Sequence, residues 1–256
     1  MTEPAPPTSL PPLCVADDAT FWPWLPWTRF AEWPDRAATV VIVPLAGMAD
    51  WGLGHPLDAE ETVLMALIRD ACRLSPAAKR PVVVPPLRFA FGADPGCAFA
   101  VDQPAAHALI AEVAASVAAA GFRRIAIVNS SPWSEEICGA AARDLHVSRG
   151  LALFQVHLSA LDLDFHPVRS RSRRRLQTLL TALYGSEPEA PAPGSTGGRP
   201  GAWGHEPVGA LDGAPVPLGE ARAEGAALLA AAAARLAALV ADIRDWNPPV
   251  AGTLSP

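Results

Sequence analysis

Four short apolar runs alternate with longer segments of helical periodicity, and this alternation limits the possible folds more than any other feature of the chain. The runs lie at residues 39–44, 81–85, 124–129 and 151–158. The run at 39–44 is continuous and β-branched, which indicates a strand that is buried on both faces of a parallel sheet. Helical segments at 60–74, 104–120 and 134–149 separate the runs and would cover the two faces of the sheet. We therefore predict an α/β fold, a three-layer α/β/α sandwich with a mostly parallel sheet.

The length of 256 residues, half of them apolar, suits one large domain. Residues 1–20 are Pro-rich and polar, and we predict a disordered or loosely docked N-terminus there. Residues 21–250 would form a single domain that ends with a helix at 220–246. Within it, Pro, Gly, Ser and Glu dominate residues 185–219, which predicts a long loop.

Residues 21–33 contain four tryptophans, a density that would be insoluble if the segment were free in water. The four are Trp22, Trp24, Trp27 and Trp33. Tryptophan is enriched in domain cores and in protein interfaces alike. We therefore expect the segment to dock on the body of the protein or on a neighbouring subunit, and the sequence does not decide between the two.

Charge and composition argue against several classes of partner. The net charge of −6 does not suit nucleic acid or an anionic membrane, since both need a basic face. No apolar run approaches the roughly 18 residues of a membrane span, and the first residues do not form a secretory signal. Four separated cysteines, Cys14, Cys72, Cys97 and Cys138, are typical of reduced, mostly buried thiols. We predict a cytoplasmic protein.

The stretch from 40 to 62, VVIVPLAGMADWGLGHPLDAEET, resembles the metal-binding signature of the creatininase family of amidohydrolases, a pattern close to PxGSxEQHGPHLPLxTD. Further landmarks follow in the family's order. They are FAFGADPGCAF at 89–99, GFRRIAIVNSSPWSEE at 121–136, and GAWGHEPVGALDG with EARAEGAALL within 201–229. The resemblance covers roughly residues 29–246 and implies the creatininase fold, with assembly into a homo-oligomer or a hetero-oligomer with a related subunit.

The departures from the family pattern fall on the residues that carry its chemistry. Family members bind two divalent ions such as Zn or Mn, which polarise an amide and activate a water. By the resemblance, the ligand and catalytic positions are occupied here by Ala49, Trp51, Glu60, Ser131, Arg169 and Arg171. An indole does not bind a hard cation, and arginines beside the ions would repel them. We therefore predict that the chain has no metal ligands and no cofactor.

The predicted binding pocket combines these positions with neighbouring polar and aromatic side chains. It consists of Asp50, Trp51, Asn129, Ser131, Trp133, Arg169, Arg171 and His205. Ser131 follows a strand as a nucleophile would, but Pro132 removes the backbone N–H that an oxyanion hole needs. A helix N-cap at Ser130, Ser131 or Ser134 explains this stretch better. The arginines of 169–175 suit either a carboxylate or phosphate ligand or a solvated helix start.

Two main functions remain open from the sequence. The first is a non-catalytic creatininase-fold protein that serves as a binding or scaffold subunit, for a peptide or an active partner in a biosynthetic pathway. The alternative is an amidohydrolase with a rebuilt site, either metal-free or holding a single ion, with His55, Glu60 and His166 as acid–base groups. His55, Asp58, Glu60 and Glu61 could bind one ion, or the acids could simply favour the dipole of the helix that follows. A third class, a sensor of anionic small molecules, would use the 169–175 arginines.

Overall fold

The computed structural model describes residues 16–49, 56–91, 99–164, 174–185 and 217–246. Seven strands occur in this part of the chain: β1 Val40–Ala46, β2 Val82–Val83, β3 Leu87–Arg88, β4 Ala90–Phe91, β5 Ala100–Val101, β6 Arg124–Asn129 and β7 Ala152–His157. The main sheet has the order β2-β1-β6-β7, and β3 pairs with the end of β1. All of its pairs are parallel, so the carboxyl ends of the strands lie at one edge. β4 and β5 form a separate parallel pair.

Six α-helices accompany the strands in the described residues: α1 Trp27–Ala31, α2 Ala59–Leu74, α3 Gln103–Ala119, α4 Glu135–Arg149, α5 Arg174–Tyr184 and α6 Leu218–Asp245. The central strand β1 is buried along its whole length and directs alternate side chains to opposite faces. Val40 and Ile42 pack into an apolar cluster with α2, α5 and α6. Val41 and Val43 pack into a second cluster with α1, α3 and α4. This arrangement confirms the predicted three-layer α/β/α sandwich.

The predicted elements agree with the structure to within about two residues, and β6 agrees at both ends. Helix α5 was not predicted. Its leucines Leu176, Leu179 and Leu180 are spaced for one helical face and are fully buried. The arginine-rich start of the segment obscured this pattern. The short strands β3, β4 and β5 were also missed, because two residues carry no periodicity.

The N-terminal part of the described chain extends the sheet at the β2 edge. The Val83 amide donates to the carbonyl of Thr20 at 2.9 Å, and Phe21 forms a parallel bridge with Val83. The Thr20 hydroxyl donates to the Asp17 carboxylate at 3.0 Å. Residues 17–20 therefore lie against the domain, just before its predicted start at residue 21.

The tryptophan-rich segment divides between core and surface. Trp22 stacks on Phe30 with ring centroids 4.4 Å apart, and both Trp22 and Trp33 pack against the second apolar cluster. Trp24 and Trp27 are 48% and 76% exposed. The core interpretation thus holds for two of the four indoles, and the other two lie on the surface.

One helix in the described residues, α6, is long and apolar enough to span a membrane by length and composition. The sequence expectation missed this because Arg235 interrupts the apolar run. Leu229, Leu236 and Val240 on α6 are buried in the first apolar cluster, beside residues of α2 and α5. A helix that covers one face of a sheet needs such a stripe, and about 33% of the apolar window of α6 is buried in this way.

Candidate functional site

The carboxyl ends of β1, β6 and β7 bring together residues that are far apart in the sequence. Asn129 is the last residue of β6 and lies in register with Leu45 of β1 and His157 of β7. In open parallel sheets, this edge is where ligands bind. The next residues along the chain, Gly47 after β1 and Ser131 after β6, therefore belong to the same site.

Glu60 ties the start of α2 to the end of β1. Its side chain comes from the first turn of α2 and is fully buried. Glu60 Oε2 accepts a hydrogen bond of 2.9 Å from the backbone N–H of Gly47. A carboxylate in the first turn is also favoured by the helix dipole. Glu60 therefore has a clear structural task at the position that was predicted for chemistry.

Gly47 is where Glu60 and Ser131 meet. A Cβ added at residue 47 would lie 2.8 Å from Glu60 Oε2 and also 2.8 Å from Ser131 Oγ. Such separations are too short for ordinary contacts, so only glycine allows both side chains to approach. The role of Gly47 was not predicted, although it is part of the IVPLAG segment that carries the family resemblance.

The side-chain amide of Asn129 fixes the loop that follows β6 through both its nitrogen and its oxygen. Its Nδ2 donates to the Ser131 carbonyl at 2.7 Å, and its Oδ1 accepts from the Ser131 N–H at 3.1 Å. Nδ2 also lies 3.2 Å from His157 Nδ1. Since an amide nitrogen only donates, His157 Nδ1 is the acceptor, and the neutral ring carries its proton on Nε2.

The serines after β6 lie at helix starts but do not cap them. Ser131 precedes a 3₁₀ turn, Pro132–Ser134, and Ser134 precedes α4, yet neither side chain makes a capping hydrogen bond. Their Oγ atoms are buried and have no hydrogen-bond partner within the described residues. The predicted N-cap location was right and the predicted side-chain cap was wrong. Two unsatisfied buried hydroxyls at one loop cost stability.

A polar cavity of about 670 Å³ adjoins this loop and was not predicted. Its polar lining consists of Gln103, Glu135, Glu136, Arg143, Gln155 and His157. The Ser159 hydroxyl donates to Glu135 Oε1 at 2.9 Å and holds that side chain beside the strand end. The cavity thus offers carboxylates, amides, a guanidinium and an imidazole in one space. Polar residues at the end of a predicted strand were the available signal for His157.

The acids of the candidate single-ion site have separate partners. Glu61 forms a two-point ion pair with Arg88 of β3, in which Nη2 lies 2.8 Å from Oε1. Asp58 accepts from the Tyr184 hydroxyl at 3.1 Å, and burial raises the pKa of Tyr184 to about 12. Among the described residues, no group of three or more His, Cys, Asp and Glu side chains could hold a metal ion.

The remaining predicted site residues are mostly outside the described part of the chain. These are Asp50, Trp51, His55, His166, Arg169, Arg171 and His205. Ala49 is described and buried, and its N–H donates to the Leu57 carbonyl at 3.3 Å. Trp133 is partly buried against the first apolar cluster. Of the predicted pocket, the structure therefore brings together Asn129 and Ser131, with Trp133 two residues further along the chain.

Two of the four cysteines are described, and both are buried free thiols, as predicted. Burial raises the pKa of Cys72 to about 12 and that of Cys138 to about 12. A thiol that stays protonated is a poor nucleophile and metal ligand. These two residues are therefore structural.

Comparison with known proteins gives a consistent result. The family model of creatininase, described as creatinine amidohydrolase, matches residues 24–188. A putative creatinine amidohydrolase from Bacteroides fragilis has a similar structure, with a TM-score of 0.63 at 13% identity over 91% of this chain and 100% of that chain. A mutant creatininase complexed with creatine gives 0.62 at 14% identity, over 89% and 99%. A Zn–Zn form of the mutant gives 0.62 at 14%, over 88% and 98%. None of the curated proteins matches this sequence.

Proposed function

Because this chain belongs to the creatininase family, we propose that it is a binding subunit built on that fold and does not hydrolyse amides with metal ions. One observation carries the proposal. Glu60, the only carboxylate kept at the described positions where the resemblance places metal ligands, is fully buried and accepts from the Gly47 N–H. A carboxylate that holds the backbone at the end of β1 serves the fold.

The other described positions do not fit a pair of divalent ions. Ala49 has no donor atom in its side chain, and Ser131 supplies a hydroxyl where the resemblance places an imidazole. Zinc and manganese sites are built from imidazole and carboxylate ligands, with thiolate added for zinc. We therefore derive no reaction step through a metal.

The polar cavity beside His157 supports a ligand with both hydrogen-bond donors and acceptors, as a peptide has. Gln103 and Gln155 can each donate and accept, and Glu135 with Glu136 favours a positively charged group. A volume of about 670 Å³ lies within the range of small-molecule and peptide-side-chain sites. One similar structure is a complex with creatine, a small polar molecule, which agrees with a ligand of this kind.

Metal content and amide hydrolysis test the proposal directly. The full chain would be expressed with added zinc and manganese and analysed for both elements, and then assayed with creatinine and short peptides. We expect far less than one ion per chain, no turnover, and a peptide-binding signal in calorimetry that is lost in His157→Gln. One bound ion per chain that disappears in Glu60→Gln, together with amide cleavage, would refute the proposal.

An amidohydrolase with a rebuilt site remains the second candidate, and one observation favours it. His157 receives a hydrogen bond from Asn129 on one ring nitrogen and lines the polar cavity, which is a suitable arrangement for an acid–base group. His55 and His166 were predicted for this role from the sequence. Loss of any measured turnover in His157→Gln, His55→Ala or His166→Ala, with folding retained, would favour this candidate.

We further propose that the chain assembles with itself or with a related subunit through its exposed tryptophans. Trp24 and Trp27 lie close in sequence and are 48% and 76% exposed. Large exposed aromatic side chains mark protein interfaces, where tryptophan is enriched. We also expect a cytoplasmic protein, and the net charge of −6 supports the expectation that it binds neither nucleic acid nor an anionic membrane surface.

A further inference from the structure

A second cavity, of about 370 Å³, lies at the opposite end of the sheet from Glu60. Its lining includes Thr39, which precedes β1, and Arg80, which precedes β2. Gly47 follows β1 at the other end, and a strand of this length separates the two sites by roughly 20 Å. The cavity is therefore distinct from the site at the carboxyl edge.

Arg80 is the unusual residue of this cavity. Its Nε is buried and has no hydrogen-bond partner. Among the described residues, no ion pair with Arg80 occurs either. Burying a cationic N–H without an acceptor costs free energy, because water would otherwise satisfy it. A ligand in the cavity would not reach this buried Nε, so an anion would be held by the terminal amino groups of the half-buried guanidinium, which has no ion-pair partner among the described residues.

The charges around the cavity favour an anion. Arg29, Arg80 and Arg244 line it, against the carboxylates of Glu32 and Asp35. Arg244 is only 13% exposed and lies 3.4 Å from Asp35, so these two largely neutralise each other. The cavity keeps an excess of positive charge in a protein whose net charge is −6.

Apart from Thr39, the rest of the lining is apolar. Trp33 contributes an indole, and Ala19, Ala77 and Ala78 contribute methyl groups. A bare inorganic ion would leave this surface uncovered. A cavity of this volume suits a small molecule with an anionic group at one end and a flat or apolar body.

We propose that this cavity is a binding site for a small molecule that carries a carboxylate or phosphate, with Arg80 as its main anion-binding residue. The planar guanidinium forms paired hydrogen bonds with both kinds of oxyanion, and such charge-assisted bonds are the strong ones. The site is independent of the function proposed for the carboxyl edge, since it shares no residue with it.

Calorimetry on the full chain with four probes tests this site: inorganic phosphate, acetate, phenyl phosphate and benzoate. We expect the probes with a ring to bind at least tenfold more tightly than the simple ions. Whichever of phenyl phosphate and benzoate binds more tightly shows whether the site prefers a phosphate or a carboxylate. Arg80→Gln should weaken binding at least tenfold, and Arg80→Lys should weaken it less.

Two controls separate this site from general charge effects and from the carboxyl edge. Arg123→Gln removes an exposed arginine that bonds to the Ala118 carbonyl at the end of α3, and it should leave binding unchanged. His157→Gln should also leave it unchanged, even if it abolishes peptide binding. Equal binding by the wild type and Arg80→Gln, or no binding of any probe, would overturn the proposal.

A crystal soaked with phenyl phosphate provides a second readout if Arg80→Gln does not fold. Density for the phosphate within hydrogen-bond distance of Arg80 is the expected result. A ligand bound only elsewhere, or no ligand, would overturn the proposal as well.

Discussion

Replacing Gly225 by alanine should destabilise the protein by about 2 kcal/mol, because α5 and α6 pack closely at this residue. A Cβ at residue 225 would lie 2.1 Å from the carbonyl oxygen of Thr178 and 2.8 Å from Ala182 Cβ. Ordinary contacts begin near 3.4 Å, so the two helices would have to separate by roughly 1 Å. The clashing atom belongs to the backbone, and no change of rotamer can relieve it.

The magnitude follows from two opposing terms. Overpacking a well-packed contact costs typically about 1–3 kcal/mol, and a clash with backbone places this case at the upper end. Alanine in place of glycine inside a helix returns about 1 kcal/mol. For a domain of this size, a net loss of about 2 kcal/mol lowers the melting temperature by roughly 4–8 °C.

Gly219→Ala in the same helix is the matched control, since a Cβ at residue 219 would meet nothing within 4 Å. It should be neutral or raise stability by up to about 1 kcal/mol. Urea unfolding followed by circular dichroism measures both variants. If Gly225→Ala is as stable as Gly219→Ala, the close approach of α5 and α6 is not as described and the reasoning fails.

Three further outcomes are expected. Glu60→Ala should lose about 1–3 kcal/mol in urea unfolding because the Gly47 N–H is left buried without an acceptor, whereas Glu60→Gln keeps an acceptor and should lose less. In a variant whose other two cysteines are serine, Cys72 and Cys138 should resist a thiol reagent at pH 8 until the protein unfolds. Because burial raises both thiol pKa values from 9.0 to about 12, their contribution to stability is present below pH 9 and is lost as the pH rises towards 12. Trp27 is exposed, so Trp27→Ser should leave the melting temperature within about 1 °C. If Trp27 lies in a subunit interface, the same variant should have a lower mass in light scattering. An unchanged mass would exclude that interface.

The sequence predicts the sheet well because each buried strand is a short, mostly apolar segment that can be recognised in it. The run ending at Asn129 is mostly apolar, and its structural bounds match the prediction. The meeting of Glu60, Asn129 and Ser131 was also predictable, since parallel strands end at one edge. The family resemblance was recognisable from segments such as IVPLAG and GFRRIAIVN, and the family model bears it out.

Other features depend on tertiary contacts that no local pattern encodes. The second cavity gathers Arg29, Arg80 and Arg244 from three distant segments. The polar cavity likewise combines Gln103 from α3 with His157 from β7. The Asn129 hydrogen bonds hold the loop after β6, where local statistics favour a serine cap instead. For the two cavities the deciding partner lies far away in the sequence, whereas Asn129 and Ser131 are only two residues apart.

The crowding over Gly47 also affects how this site could change during evolution. Ser131 is fully buried, and its Oγ already approaches the space above Gly47 beside Glu60. A single Ser131→His substitution would push an imidazole into that space before any other ligand is present. The Glu60 carboxylate would have to move first, and the Gly47 N–H would lose its acceptor. If the chain lacks a metal site, as proposed above, gaining one at this place would therefore require a further change besides Ser131→His.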